Sequence, residues 1–75
     1  MIITENEYKY FRNRVLAKTD GSNIHRVNGL LALVMDWNRH EQKSREKNDM
    51  EDIDYCNFRV RNALTEIKQL TTVSL

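Results

Sequence analysis

Apolar residues recur at helical spacing on both sides of a twelve-residue block, Asn38 to Asp49 (NRHEQKSREKND), that contains no apolar side chain at all. Upstream, Ile24, Val27, Leu31 and Val34 are spaced three and four apart, with Leu30 and Trp37 widening the face. Downstream, Met50, Ile53, Asn57, Val60, Leu64 and Ile67 form a second stripe, in which Asn57 is a polar residue able to set register. A shorter stripe, Tyr8, Phe11, Val15 and Leu16, precedes both. The pattern predicts an all-α, three-helix domain: a long antiparallel hairpin over about 23–47 and 49–70, preceded by a shorter helix over about 5–18.

Local signals support those boundaries. Thr4-x-x-Glu7 is a capping-box pattern, with Ile3 and Tyr8 at the staple positions. Thr19 to Asn23 (TDGSN) stops the first helix, with Gly21 suited to positive φ and Ser22 or Asn23 available to cap the next. Asn28-Gly29 is a hairpin-turn dipeptide, but its flanks IHRV and LLALV do not alternate. Helix is therefore the better reading, with Gly29 allowing a close backbone approach. The polar block is rich in helix formers and extends the second helix, with Glu41 and Arg45 spaced for an ion pair. The final residues, TTVSL, read as a frayed tail or a short extended piece beside MIIT.

With 75 residues the chain makes a single domain (1–75) with one small core, and a core of that size leaves little surplus over the ordering cost. A lone cysteine, Cys56, excludes an internal disulfide framework and reads as a small buried hydrophobe in a reducing compartment. Self-association as a homodimer, or a protein partner, is then the expected source of extra stability. The start MIITENEY lacks a signal-peptide pattern and no stretch approaches a membrane span, so the expected location is the cytoplasm, with no membrane partner.

Net charge is +1, which gives no general drive toward nucleic acid, but charge is blocked: +2 over Arg39 to Lys47 sits beside −4 over Asn48 to Asp54. Each block opposes the dipole of its helix end, so no ligand is needed to explain it. Geometry adds a second consideration. A first helix of about fourteen residues, at about 1.5 Å per residue, reaches back only to the neighbourhood of Trp37. Beyond Trp37 the hairpin would project, with Met50, Ile53 and Tyr55 partly exposed opposite the alkyl stems of lysines. These three, with Arg39, Lys43, Arg45 and Lys47 as a polar rim, are the expected partner-binding surface. The competing arrangement folds Met1, Ile2 and Ile3 across that strip.

Function is accordingly expected to be non-catalytic protein–protein interaction. Eight asparagines and no proline fit a small accessory protein of a phage or mobile element that inhibits or redirects a larger partner. The alternative is nucleic-acid binding, with Arg12, Arg14, Arg59 and Arg61 contacting phosphates and tyrosines stacking on bases. A helix-turn-helix reader fits poorly, because the two later helices are too long. Catalytic and metal motifs are incomplete, and neither a cofactor nor a metal is expected. His40-Glu41 opens like H-E-x-x-H, but Ser44 stands where the second histidine belongs. Asp36 and His40 are spaced for a surface ion pair with no nucleophile beside them. Asp49, Glu51, Asp52 and Asp54 cluster like calcium ligands but lack the EF-hand glycine and closing glutamate. His25 reads as a first-turn surface residue.

Overall fold

The computed structural model describes residues 2–71. Three helices follow in order, α1 (Glu5–Ala17), α2 (Ile24–Glu46) and α3 (Met50–Leu70), with a single 3-10 turn at Gly21–Asn23 before α2. Among the described residues there is no strand, only one isolated antiparallel bridge between Thr19 and Thr71. The all-α, three-helix architecture is therefore as the periodicity predicts. Thr71 pairs with the linker after α1 and not with the amino-terminal segment, which corrects the expected pairing of TTVSL with MIIT at this position. Residues 1 and 72–75 of those two segments lie outside the described residues.

Helix α1 begins at the capping box: Thr4 Oγ1 accepts from the Glu7 N–H and the Glu7 carboxylate accepts from the Thr4 N–H, each at 3.1 Å. The backbone and side-chain hydrogen bonds from Thr4 hold the Glu7 carboxyl below the usual glutamate range. The helix stops by hydrogen bonding, not by glycine geometry. Thr19 Oγ1 donates to the Val15 carbonyl at 2.7 Å, and Gly21 has negative φ, contrary to expectation. Asn23 stands at the N-cap of α2 without capping it. Its Nδ2 donates instead to the Leu70 carbonyl at 3.5 Å, tying the start of α2 to the end of α3.

The hairpin turn between α2 and α3 is a Schellman motif built on asparagine. Asn48 has φ 55°, the left-handed conformation. The Asp49 N–H donates to the Ser44 carbonyl at 3.0 Å and the Asn48 N–H to the Arg45 carbonyl at 3.2 Å. Asp49 then caps α3 by accepting from the Asp52 N–H at 3.2 Å. One three-residue stretch thus closes one helix and opens the next.

The main core joins Val15 of α1, Val27, Leu30, Leu31 and Val34 of α2, and Val60, Ala63 and Ile67 of α3, with Phe11, Leu16, Trp37, Leu64 and Leu70 packed at its edge. Tyr8 and Ile24, expected inside, are half-buried. The buried line of α3 is Ile53, Cys56, Val60, Ala63 and Ile67, a three-four repeat shifted from the one expected. Small side chains at Cys56 and Ala63 face α2, whereas Asn57 and Leu64 lie half-buried at the margin and Met50 is 65% exposed. Gly29 lies inside α2 as expected, but a Cβ there would meet nothing within 4 Å, so it serves no close approach.

The polar block continues α2 through Glu46, and its inner side is buried. Asn38, Glu41 and Ser44 are 2%, 0% and 3% exposed. They extend the line of Val27, Leu31 and Val34 toward the turn. The expected bare projection beyond Trp37 is thus corrected: polar side chains with local partners replace the apolar seam. Asn38 exchanges two 3.0 Å hydrogen bonds with the Ile3 backbone, and Glu41 accepts from Arg45 Nε at 2.9 Å. Burial would push the Glu41 carboxyl up, but Arg45 contributes to a net shift the other way.

Candidate functional site

One flank of the α2–α3 hairpin gathers most of the chemically distinctive side chains. Trp37, His40 and Ser44 follow at three and four along α2, so they share a side of that helix. Asp52, Tyr55, Cys56 and Arg59 do the same on α3, and the antiparallel arrangement sets them opposite one another. His40 Nε2 lies 2.7 Å from Asp52 Oδ2. Ser44 Oγ also hydrogen-bonds Asp52 Oδ2 and lies 3.1 Å from the His40 carbonyl. The Ser44 hydroxyl, followed by His40, holds the Asp52 carboxyl below the usual aspartate range against the opposing effect of desolvation. His40 therefore pairs with Asp52 and not, as its sequence spacing suggested, with Asp36.

The aromatic end of the same flank is a stack. Trp37 meets His40 edge-on at 5.5 Å and Tyr55 edge-on at 5.4 Å between ring centroids. Arg59 lies over the Trp37 ring, 5.3 Å from its centroid, and Arg59 Nη1 donates to the Tyr55 hydroxyl at 3.4 Å. Three side chains thus pack against the one indole ring. Phe58, three residues beyond Tyr55, points away from the core and is 55% exposed, while Tyr55 is 47% exposed. Asn62, Thr65 and Gln69 continue this outer side of α3, all exposed and all uncharged. In a chain with 31% charged residues, such a strip is out of keeping with an ordinary solvated helix face.

Acid–base chemistry on this flank is limited. Ser44 gives its proton to a carboxylate and not to the imidazole, so the serine–histidine contact that activates a nucleophile is missing from the arrangement. Cys56 is fully buried, and burial, with Asp52 and Glu41 nearby, pushes its thiol up, away from the reactive thiolate. What the cluster does offer is a set of mixed donors: His40, Asp52 and Cys56 present ligand atoms within 4.8 Å of one another.

The residues expected to bind a partner are not brought together. Ile53 is 6% exposed and belongs to the buried line of α3, which corrects its expected exposure. Met50 and Tyr55 are exposed, but five residues on a helix turn about 140°, so they lie on different sides of α3. Arg39 pairs with Glu5 at 3.5 Å and Arg45 with Glu41 at 2.9 Å, while Lys43 on α2 and Lys47 at its C-cap are exposed. The expected apolar strip with a cationic rim is thus dispersed. Nor do the four arginines proposed for phosphates align: Arg12 and Arg14, like Arg59 and Arg61, are two residues apart, about 160° around their helices. Arg59 is moreover engaged with Trp37.

Phe58 and the His40–Asp52 pair are the features that the sequence did not single out, and Trp37 was expected on the apolar face of α2 without its stack with His40, Tyr55 and Arg59. Phe58 was detectable, since an aromatic residue falling opposite the apolar stripe of α3 has no core role. The His40–Asp52 contact spans two helices and depends on the register of the hairpin, which spacing within either helix does not encode. Among the described residues, no helix is long and apolar enough to cross a membrane. Comparison of the chain with protein-family models, with curated proteins and with solved structures finds no match.

Proposed function

We propose that this chain is a non-catalytic protein-binding module whose interface is the outer side of α3, centred on Tyr55 and Phe58 and bounded by the Trp37–Arg59 stack. The observation that carries the reading is two exposed aromatic rings on a strip without charge from Tyr55 to Gln69. Interface centres are depleted in charge and enriched in aromatic residues and arginine. Fixed aromatic side chains lose little entropy on contact, which suits them as anchors. This replaces the site first expected around Met50 and Ile53.

The occupant proposed is a second copy of the chain. An uncharged strip packed antiparallel on itself across a two-fold axis brings no like charges together, and a 75-residue domain gains stability from a partner surface. Inhibition or redirection of a larger protein, in the manner of a mobile-element accessory factor, is a role that such a surface could serve in the same way. Nucleic-acid binding has weaker support, because the arginines on which it would depend do not share a face.

Light scattering across a concentration series tests the reading. Wild-type protein should approach twice the mass of one chain as concentration rises, and Phe58→Asp should remain at one chain mass with unchanged helicity. A wild-type protein that stays monomeric throughout the series would overturn the self-association reading.

A further inference from the structure

We propose that His40, Asp52 and Cys56 form a binding site for Zn2+ or a similar thiophilic divalent cation, bridging α2 and α3 near the hairpin turn. The side chains come from two helices, and one ligand atom from each lies within 4.8 Å of the other two. Zinc bonds of about 2.0–2.3 Å to nitrogen, oxygen and sulfur require tetrahedral ligands about 3.3–3.8 Å apart, so the widest separation has to contract by about 1 Å while the 2.7 Å His40–Asp52 contact opens by about 0.6 Å. Asp52 and Cys56 are four apart on α3 and thus lie one above the other on one side, while His40 enters from the opposite helix.

The donor chemistry selects the ion. Thiolate and imidazole favour zinc, cobalt and related cations over calcium and magnesium, which take oxygen ligands. Three protein ligands leave a fourth position for water, on the side where His40 is half-exposed and Asp52 is partly open. The site is also oriented from behind. Ser44 hydrogen-bonds the Asp52 carboxylate, and the Trp37 and His40 rings meet in a T-shaped contact. Such supporting contacts fix the direction in which first ligands point.

The existing hydrogen bond marks the place of the ion. His40 Nε2 and Asp52 Oδ2 are hydrogen-bonded across 2.7 Å, and the cation enters between them as that contact opens to the separation zinc requires. On binding, the imidazole carries its proton on Nδ1 and Cys56 releases its thiol proton to solvent, so a neutral histidine site gives up one proton per ion. No residue of this site belongs to the proposed Tyr55–Phe58 interface, so each reading can fail without the other.

Cobalt titration of chelator-treated protein tests the proposal. The expected result is a visible d–d spectrum of tetrahedral intensity together with a near-ultraviolet thiolate-to-cobalt charge-transfer band, both abolished by added zinc. Cys56→Ser should lose the charge-transfer band. Because that substitution alters a buried position, His40→Gln, at a half-exposed position, is the second variant. It should keep wild-type helicity and bind cobalt at least tenfold more weakly. Zinc in hundredfold excess over the wild-type Kd should raise the wild-type Tm by roughly 10 °C or more and that of His40→Gln by about half as much or less. Saturating cobalt without a thiolate band, or His40→Gln binding as tightly as wild type, would overturn the site.

Discussion

Asn38 holds Ile3 by both of its backbone groups: the Ile3 N–H donates to Asn38 Oδ1 and Asn38 Nδ2 donates to the Ile3 carbonyl, each at 3.0 Å. A side-chain amide has one acceptor and one donor group, so it satisfies a single extended residue as a neighbouring strand would. The contact lies 2% exposed on α2, beyond the reach of the α1 core, and fixes the segment that leads into the Thr4 capping box. Asn38→Ala leaves two backbone groups to find other partners and should cost about 1–3 kcal/mol. A thermal melt reads this as a drop in Tm of several degrees. An unchanged melt would mean that the Ile3 contact adds nothing to stability.

The helices were legible in the sequence because periodicity and caps agree. Thr4-x-x-Glu7 does start α1, and the three-four spacing of Val27, Leu31 and Val34 does give the inner side of α2. Interior and surface were not legible past Trp37. Asn38, Glu41 and Ser44 sit at core phase but are polar, and while the Glu41–Arg45 pair follows from spacing, the partners of Asn38 and Ser44, Ile3 and Asp52, come from other elements of the chain. The α3 seam was misphased for a related reason. Leu64 is larger and more apolar than Ala63, yet Ala63 faces α2, because helix contacts are set by how closely the backbones approach as well as by hydropathy. The candidate metal site was hidden twice over, by the absence of a motif within either helix and by the register that brings His40 to Asp52.

Acid should destabilise the chain partly through Asp52. Its folded pKa is lowered, first by the Ser44 hydroxyl and then by His40. The folded state therefore binds that proton less readily than the unfolded state does. Its stabilisation is fully present above the ordinary aspartate value and is lost as pH falls through the lower folded value. Tm measured from neutral pH downward, in the presence of a chelator, should fall more steeply at the acid end for wild type than for Asp52→Asn. Parallel curves would show that Asp52 gains nothing from Ser44 and His40 on folding.

Gly29 is an opportunity for stabilisation. It is exposed in the interior of α2, and an added Cβ meets nothing within 4 Å. Alanine restricts the unfolded chain and has the higher helix propensity, so Gly29→Ala should stabilise by about 0.5–1 kcal/mol. For a domain of this size that corresponds to a rise in Tm of roughly 2–8 °C. A fall in Tm would indicate that something packs closely against Gly29 in solution, such as a second copy of the chain.

The α2–α3 turn depends on one backbone conformation at Asn48, with φ at 55°. Asparagine tolerates the left-handed region better than most residues, and glycine adopts it without steric cost. Asn48→Gly should therefore preserve the turn, keeping the donations from Asn48 and Asp49 N–H to the Arg45 and Ser44 carbonyls. Asn48→Val places a β-branched side chain where its Cβ crowds the following carbonyl, at a cost of roughly 1–2 kcal/mol. Because Asp49 caps α3 immediately afterwards, the strain also reaches the start of that helix, where Asp52 faces His40 and Ser44. Urea unfolding of the two variants should separate them clearly, with Gly near wild type and Val shifted to lower midpoint at unchanged m-value. Equal midpoints would mean that the chain turns between α2 and α3 without the left-handed residue.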